Sequence, residues 1–240
     1  MKAQRARGAA TVGSARGSPG PEAAARGGRP RFERQLPAQR RAALIAATIE
    51  CLKRYGHDGL SIRTISAQAG VSVGLINHHF PNKDELVAAA YRHFNRELVD
   101  GLQAAVARAE RTPAARLRAF LTASFSPPNL DADTLAVWVV FWGMYRHSRL
   151  IQRVQRDTYA DYVRLVHDML ADFLGAAAGT RARRPRRVDL RLAAIGLTAL
   201  IDGLWLEWCL EPGRFKPREA VALCEGWVEG LQRRAGGALE

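Results

Sequence analysis

Two stretches of the sequence place aromatic side chains and one acid at the spacing of a helix. The first stretch has three rings at i, i+4 and i+7, namely Trp138, Trp142 and Tyr145. The second has an acid and two indoles at i, i+3 and i+6, namely Asp202, Trp205 and Trp208. Ring faces attract cations without a hydrogen bond, at about 0.5–2 kcal/mol per contact. A nearby carboxylate would supply the counter-charge, because burying it without a cation is costly. The pattern predicts a small-cation site between Trp142 and Trp205.

A second interpretation of these residues stays open. Aromatic residues at helical spacing also form ordinary cores or dimer contacts, and Asp202 would then be hydrogen-bonded to the backbone. Both interpretations require two helices, over about residues 131–147 and 188–210, that bring the side chains together. The sequence therefore predicts two helices that bring these aromatic side chains and Asp202 together.

Residues that could support catalysis or bind a metal show no suitable arrangement. The six histidines have no metal-ligand spacing with acids or cysteines, and the three cysteines are too scattered for a disulfide frame or a zinc site. A phosphate-binding glycine loop, a paired carboxylate motif and a nucleophile elbow are all missing from the sequence. We expect no enzyme activity, no metal and no cofactor, with an enzyme of unknown type as the rival class.

The stretch "SIRTISAQAGVSVGLINHHF", Ser61 to Phe80, contains two short amphipathic patterns around a glycine turn. Ser61 is placed to cap the first helix, and Ser72 the second. Gly70 supplies the positive φ of the turn. With Ile76 and Phe80 facing inward, the pattern predicts a helix-turn-helix whose second helix enters the major groove of DNA. The alternative is an ordinary corner of a helical bundle.

The outward side chains of this motif are typical of base and phosphate contacts. Gly74 lets the backbone approach the DNA, Asn77 pairs with adenine edges, and Val73 touches a thymine methyl group. Histidines donate to bases or phosphates, and Lys83 holds a phosphate at the start of the next helix. The predicted DNA-binding residues are Arg41, Ser61, Arg63, Ser72, Val73, Gly74, Asn77, His78, His79 and Lys83.

The positive charge of the chain lies mainly at its N-terminal end. The formal net charge is +13, and residues 1–36 carry eight Lys or Arg against two acids. Such asymmetry favours a polyanionic partner, most simply nucleic acid, although a solubilising tail would have the same composition. Residues 1–36 contain almost nothing to bury, so we expect a disordered basic tail or a translated leader.

Beyond this tail the apolar residues follow the period of a helix, so the fold class is predicted to be all-α. Leu44, Thr48, Leu52 and Tyr55 mark the buried face of the first helix. A capping box of Asn82 with Glu85 begins a long fourth helix that reaches about Arg111. Further helices are expected over about 113–125, 131–147, 149–174, 188–210 and 217–233. The longest apolar runs fall short of the ~20 residues of a membrane helix, so no membrane partner is expected. The few, scattered cysteines fit a reducing, cytoplasmic setting.

The stretch "AGVSVGLINHHFPNKDEL" closely resembles the DNA-binding signature of the TetR family of regulators. The one departure is Asn77, where the family usually has an aromatic residue. The resemblance implies a DNA-binding domain over residues 37–82 and a ligand-binding and dimerisation domain over 83–235. It also implies a homodimer on double-stranded operator DNA, released when an effector moves the fourth helix.

The stretches "AVWVVFW" and "ALIDGLWLEWCL" are similar to the BetI branch of this family, the repressors of the choline-to-betaine pathway. That similarity implies choline or a similar cation as the effector. The alternatives are a repressor that responds to another lipophilic or aromatic molecule, and an architectural DNA binder that uses the basic tail.

Two apolar stripes near the C-terminus predict the dimer contact. They have helical spacing and comprise Leu192, Ile195, Leu200 and Leu204, then Val221, Cys224 and Val228. In a monomer these residues would cover the core of the domain. We expect part of each stripe to pack against the partner subunit in a four-helix bundle.

Overall fold

The structure, a computed structural model, describes residues 36–177 and 188–236. These residues form nine α-helices and no strand, which confirms the all-α class. The helices are α1 Pro37–Tyr55, α2 Ile62–Ala69, α3 Val73–His79, α4 Lys83–Arg108, α5 Pro113–Ser124, α6 Ala132–Tyr145, α7 Arg149–Ala177, α8 Leu190–Leu210 and α9 Pro217–Gly236. The prediction of a tail over 1–36 lies almost wholly outside the described residues.

Helix α1 begins with Pro37, whose fixed φ suits the first turn, and ends at Gly56 with a φ of 62°. Leu44, Thr48 and Leu52 are fully buried, as their spacing predicts. The inclusion of Tyr55 in that buried face is wrong, because its side chain is 45% exposed. Its ring lies in the last turn, where the Arg54 guanidinium is 5.4 Å from its centroid.

Helix α4 begins where the sequence predicts and ends earlier. The Asn82 side chain accepts a hydrogen bond from the Glu85 backbone at 2.9 Å, which satisfies a free N–H of the first turn. The helix ends at Arg108, short of the predicted Arg111, because Ala109 already adopts an extended conformation, and Thr112 then caps α5. Along its length α4 contacts α1, α5 and α7, so it connects the helix-turn-helix to the remaining helices.

The buried apolar residues form two clusters. The DNA-side cluster contains residues of α1 to α4 together with Val137 and Phe141 of α6 and Ile151 and Val154 of α7. The sensor-side cluster contains residues of α4, α5 and α7 to α9. Trp138 packs against both clusters. The predicted boundary after residue 82 therefore does not coincide with a break in the packing.

Helix α8 is long and apolar enough, by length and composition, to cross a membrane, with a mean hydropathy of 1.4. Its contacts with α6, α7 and α9 bury one side of it, and 33% of the apolar stretch is buried, so burial in the single chain accounts for only part of this composition. A glycine permits its close packing on α9, since a Cβ at Gly196 would lie 2.7 Å from the Trp227 ring.

The two predicted dimer stripes are partly buried in the single chain. Cys224 and Val228 have no exposed surface in the single chain, because they belong to the sensor-side cluster. Leu192 and Ile195 are 55% and 50% exposed. On α9 the exposed apolar side chain is Leu223, the residue before Cys224, rather than the predicted Cys224. Periodicity identified an apolar face, and the neighbouring helices decide which part of it is covered.

Candidate DNA-binding surface and effector cavity

The turn between α2 and α3 is fixed by backbone geometry and by two caps. Gly70 has a φ of 64°, in the left-handed region that favours glycine. The Val71 amide donates to the Ser66 carbonyl at 3.1 Å. The Ser61 hydroxyl accepts from the Thr64 amide at 3.1 Å, and the Ser72 hydroxyl accepts from the Leu75 amide at 3.3 Å. The local sequence thereby determines how α3 leaves α2.

Helix α3 presents one open face. Ile76 and Phe80 are buried, whereas Val73, Asn77 and His78 are exposed. A Cβ at Gly74 would meet only the Ser72 hydroxyl, at 3.9 Å, so the packing of the protein does not require a glycine there. This face is free to approach another molecule.

Four predicted DNA-binding side chains already have partners within the protein. The Arg41 guanidinium donates to the His79 carbonyl at 2.9 Å and lies 4.0 Å from the centroid of the Phe80 ring. The Lys83 ammonium donates to the Leu60 carbonyl at 3.3 Å. Ser61 and Ser72 are engaged as the caps of α2 and α3. These contacts hold α3 and α4 in place, whereas Arg63 remains exposed.

A cavity of about 340 Å³ lies among α4, α5, α6, α7 and α8. It brings together four of the six residues predicted for a ligand: Trp138, Trp142, Asp202 and Trp205. The Trp138 ring centroid is 5.7 Å from that of Trp142 and 6.4 Å from that of Trp205. Among the described residues, no group of His, Cys, Asp and Glu is arranged to hold a metal ion.

The indole of Trp205 is held in a single orientation. Its Nε1 donates to the Asn129 carbonyl at 2.8 Å, in the segment between α5 and α6, and the side chain is buried. A fixed ring with its hydrogen bond satisfied presents an apolar wall to the cavity.

Asp202 lies at the mouth of the cavity. Its side chain contacts solvent there, although the protein surrounds it closely enough that burial raises its pKa to about 6. Within the described part of the chain, no Lys, Arg or His nitrogen lies within 4.0 Å of it. Burial also raises the pKa values of Tyr159 and Tyr162, and the charge of Asp202 adds to both shifts.

Tyr145 and Trp208 lie outside the residues that line this cavity. Tyr145 is exposed at the end of α6, and Trp208 packs against the sensor-side cluster. The sequence reasoning also missed lining residues on α4 and α7, namely Asn95, Gln155, Thr158, Tyr159 and Tyr162. Tyr159 and Tyr162 follow the i, i+3 spacing that identified the other rings, whereas no local pattern identifies the polar residues.

Polar contacts join α4 to α7 beside the cavity. The Tyr91 hydroxyl donates to Oε1 of Gln155, and Nδ2 of Asn95 donates to the Thr158 hydroxyl at 2.8 Å. Burial raises the pKa of Tyr91 to about 12, so its hydroxyl remains a neutral donor. These contacts connect the wall of the cavity to the helix that follows the helix-turn-helix.

Two family descriptions match the chain. Residues 44–90 match "Bacterial regulatory proteins, tetR family", and residues 113–233 match "BetI-type transcriptional repressor, C-terminal". The HTH-type transcriptional regulator BetI of Burkholderia thailandensis is 34% identical over 192 residues, which cover 80% of this chain and 93% of the relative. The chain belongs to the BetI-type branch of the TetR family of transcriptional regulators.

Solved structures of TetR-like regulators have the same fold. A transcriptional regulator from Pseudomonas aeruginosa is 44% identical with a TM-score of 0.76, and the match covers 86% of this chain and 96% of that one. A regulator from Saccharomonospora viridis, solved in complex with choline, has a TM-score of 0.68 at 20% identity, over 80% and 96% of the two chains. These likenesses concern the fold, and the family matches identify the chain as a transcriptional regulator.

Proposed function

We propose that this protein is a cytoplasmic repressor that binds a palindromic operator as a homodimer and is released by a small quaternary ammonium ion, choline being the first candidate. The observation that carries the effector class is Asp202, a carboxylate without a cationic partner among the described residues, at the mouth of an aromatic cavity. A cation there would offset the cost of desolvating the carboxylate.

The cavity fits a small organic cation in size and chemistry. Its volume of about 340 Å³ is at the small end for ligand pockets. Trp138, Trp142 and Trp205 supply ring faces for the methyl groups of an ammonium ion. The Saccharomonospora viridis regulator was solved with choline, but its 20% identity concerns the fold, so the chemistry of the cavity carries the proposal.

The DNA side of the proposal rests on the open face of α3. Val73, Gly74, Asn77 and His78 would meet base edges, while Arg63 and the remaining donors of Lys83 would contact phosphates. Two such helices related by a two-fold axis would meet half-sites about 34–36 Å apart.

The homodimer would form through α8 and α9. Their exposed apolar side chains include Leu192, Ile195, Leu206 and Leu223. Covering these side chains with the same face of a second subunit would give an isologous contact and the two-fold axis that a palindromic operator requires.

A neutral lipophilic or aromatic effector is the second candidate. Leu98, Val99, Leu102 and Ile201 contribute apolar surface to the same cavity. A neutral ligand would gain from this surface without using the charge of Asp202.

Calorimetry with two ligands of equal shape separates the candidates. Choline and its uncharged isostere 3,3-dimethylbutan-1-ol should be titrated into wild type, Asp202→Asn and the control Glu207→Gln, an exposed acid on the same helix. We expect choline to bind wild type and the control alike, and to lose at least tenfold in affinity with Asp202→Asn. Equal binding of both ligands to wild type would favour the neutral effector, and no binding of choline to wild type would exclude choline as the effector.

A further inference from the structure

Helix α8 has a continuous exposed face. Seven of its nine exposed residues recur at i, i+3, i+7, i+10, i+11, i+14 and i+18, within roughly 100° of the helix circumference, and the other two, Arg191 and Glu207, border this arc on either side. The seven are Leu192, Ile195, Ala199, Asp202, Gly203, Leu206 and Leu210. Six of these seven residues are uncharged, and Asp202 is the exception. This set is called the α8 face below.

Asp202 lies at one edge of the α8 face. The neighbouring positions on that side of the helix are Thr198 and Trp205, which are buried, and Trp205 lines the effector cavity. Two other lining residues, Trp142 and Tyr159, are each 41% exposed and form the rim of the mouth together with Asp202. The cavity therefore opens at the border of the α8 face.

Helix α9 extends this surface. The close contact between Gly196 and Trp227 holds α9 against α8, and Leu223 of α9 is 55% exposed. Gly226, on the same side of α9, permits close approach of another helix. An apolar surface spanning two helices, in a family of dimeric regulators, fits a second copy of the same chain.

We infer that the partner subunit covers the mouth of the effector cavity, so that the complete effector site exists only in the dimer. This inference rests on the proposed dimer and on the proposed site. A partner helix lying along the α8 face passes over Asp202, because that side chain belongs both to the face and to the rim. Closure removes the remaining water from the mouth, which strengthens the attraction between Asp202 and a cation.

The arrangement links the effector to the dimer. If the partner contributes to the site, the dimer binds the effector more tightly than a single subunit does. By reciprocity, the effector then strengthens the dimer by the same factor. The signal would thereby reach both DNA-binding halves through the contact that relates them.

The test compares the full chain with a monomeric variant, Leu192→Glu together with Leu223→Glu. Both side chains are more than half exposed in the single chain and lie outside the cavity, so circular dichroism should show an unchanged helical content. Ile195→Arg is a second variant if the first fails to fold. Sedimentation should show a dimer for wild type and a monomer for the variants; persistence of the dimer in folded variants would overturn the inference.

The first readout needs no effector. Tyr159→Cys, with Cys209 replaced by Ser, is labelled with a maleimide in the dimeric and in the monomeric background. We expect labelling to be at least tenfold slower in the dimer. Ala67→Cys, exposed on α2, is the control and should react equally in both. Equal labelling rates at position 159 would overturn the inference.

The second readout is choline affinity by calorimetry. We expect the monomeric variant to lose at least tenfold relative to wild type. Equal affinity in monomer and dimer would overturn the inference and leave the proposed effector intact. A further outcome is that wild type fails to bind choline while the cysteine at position 159 still reacts more slowly in the dimer. In that case choline is not the effector, and the inference that the partner covers the mouth of the cavity is retained.

Discussion

Tyr91 of α4 donates a hydrogen bond to Gln155 of α7, a residue that lines the effector cavity. The Tyr91 ring also stacks on Phe141 with 4.1 Å between centroids, and meets Trp138 edge-on at 6.0 Å. One side of this contact therefore belongs to the DNA-side cluster and the other to the cavity wall. A guest that displaces Gln155 or Trp138 would move α4 directly.

The variant Tyr91→Phe removes this hydrogen bond and keeps the ring. We expect operator affinity and choline affinity to remain within a few-fold of wild type, while the choline concentration that releases DNA rises. The reason is that the hydroxyl joins α4 to the cavity wall without itself lining the cavity. Fluorescence anisotropy of a labelled operator, titrated with choline, measures the release. Tyr145→Phe, on an exposed ring outside the cavity, is the control, and an identical release curve for both variants would contradict the link.

The variant Gly74→Ala tests the open face of α3 separately from folding. A Cβ there would meet only the Ser72 hydroxyl at 3.9 Å, and one at Gly101 of α4 would meet nothing within 4 Å. Alanine favours a helix over glycine by about 1 kcal/mol, so neither substitution should destabilise the protein. We expect Gly74→Ala to lower operator affinity and the matched control Gly101→Ala to leave it unchanged, in a gel-shift titration. Full operator affinity of Gly74→Ala would mean that DNA does not approach this face closely.

The raised pKa of Asp202 makes stability depend on pH. Its pKa is about 6 in the folded protein against an ordinary value of 3.8, so between these values the folded state binds more protons than the unfolded state. The free energy of unfolding therefore falls as pH rises from about 4 to 6. We expect Asp202→Asn to melt at a higher temperature than wild type at pH 7.5, and the difference to shrink as pH falls below 6. Melting curves that run parallel at every pH would show that Asp202 is not desolvated.

Substitution of Lys83 and substitution of Arg63 should have the same effect on DNA binding and different effects on the melting temperature. Both are expected to contact phosphates, so each change to Ala should weaken all DNA sequences alike and reduce the salt slope by about one. The Lys83 ammonium also donates to the Leu60 carbonyl, so Lys83→Ala should in addition lower the melting temperature. Arg63→Ala should leave that temperature unchanged. Binding isotherms at several salt concentrations and calorimetric melts measure the two effects, and an unchanged salt slope for both would remove the phosphate contacts.

Local sequence patterns were sufficient to predict the helix-turn-helix and insufficient to predict all the residues that line the cavity. Ser61, Gly70 and Ser72 act on groups within a few residues of themselves, so their caps and turn follow from the sequence. The cavity depends on where helices meet. Asn95 and Gln155 come together only because α4 packs on α7, a contact that no sequence spacing encodes.

The two misplaced aromatic residues have geometric causes. Tyr145 shares a helix face with Trp138 but lies about 10 Å further along the axis, at 1.5 Å per residue. Trp208 follows Asp202 at two steps of three residues, and each such step turns the side chain by about 60°, so the two diverge by about 120°. Spacing of three alone therefore drifts off a face, whereas spacing that alternates three and four stays on it.

Phe141 of α6 and Val154 of α7 pack in the same core as the buried residues of α1. This shared core limits how the DNA-binding helices can be exchanged between related regulators. A chimaera joined at residue 82 would take α1 from one regulator and α6 and α7 from another. Its α1 would then pack on a surface other than the one that it fits. The new pair would leave gaps or clashes under the DNA-binding helices. Exchange of operator preference between relatives therefore has to follow the exposed face of α3 residue by residue. A change of operator preference and a change of effector preference therefore alter different surfaces of one packed unit.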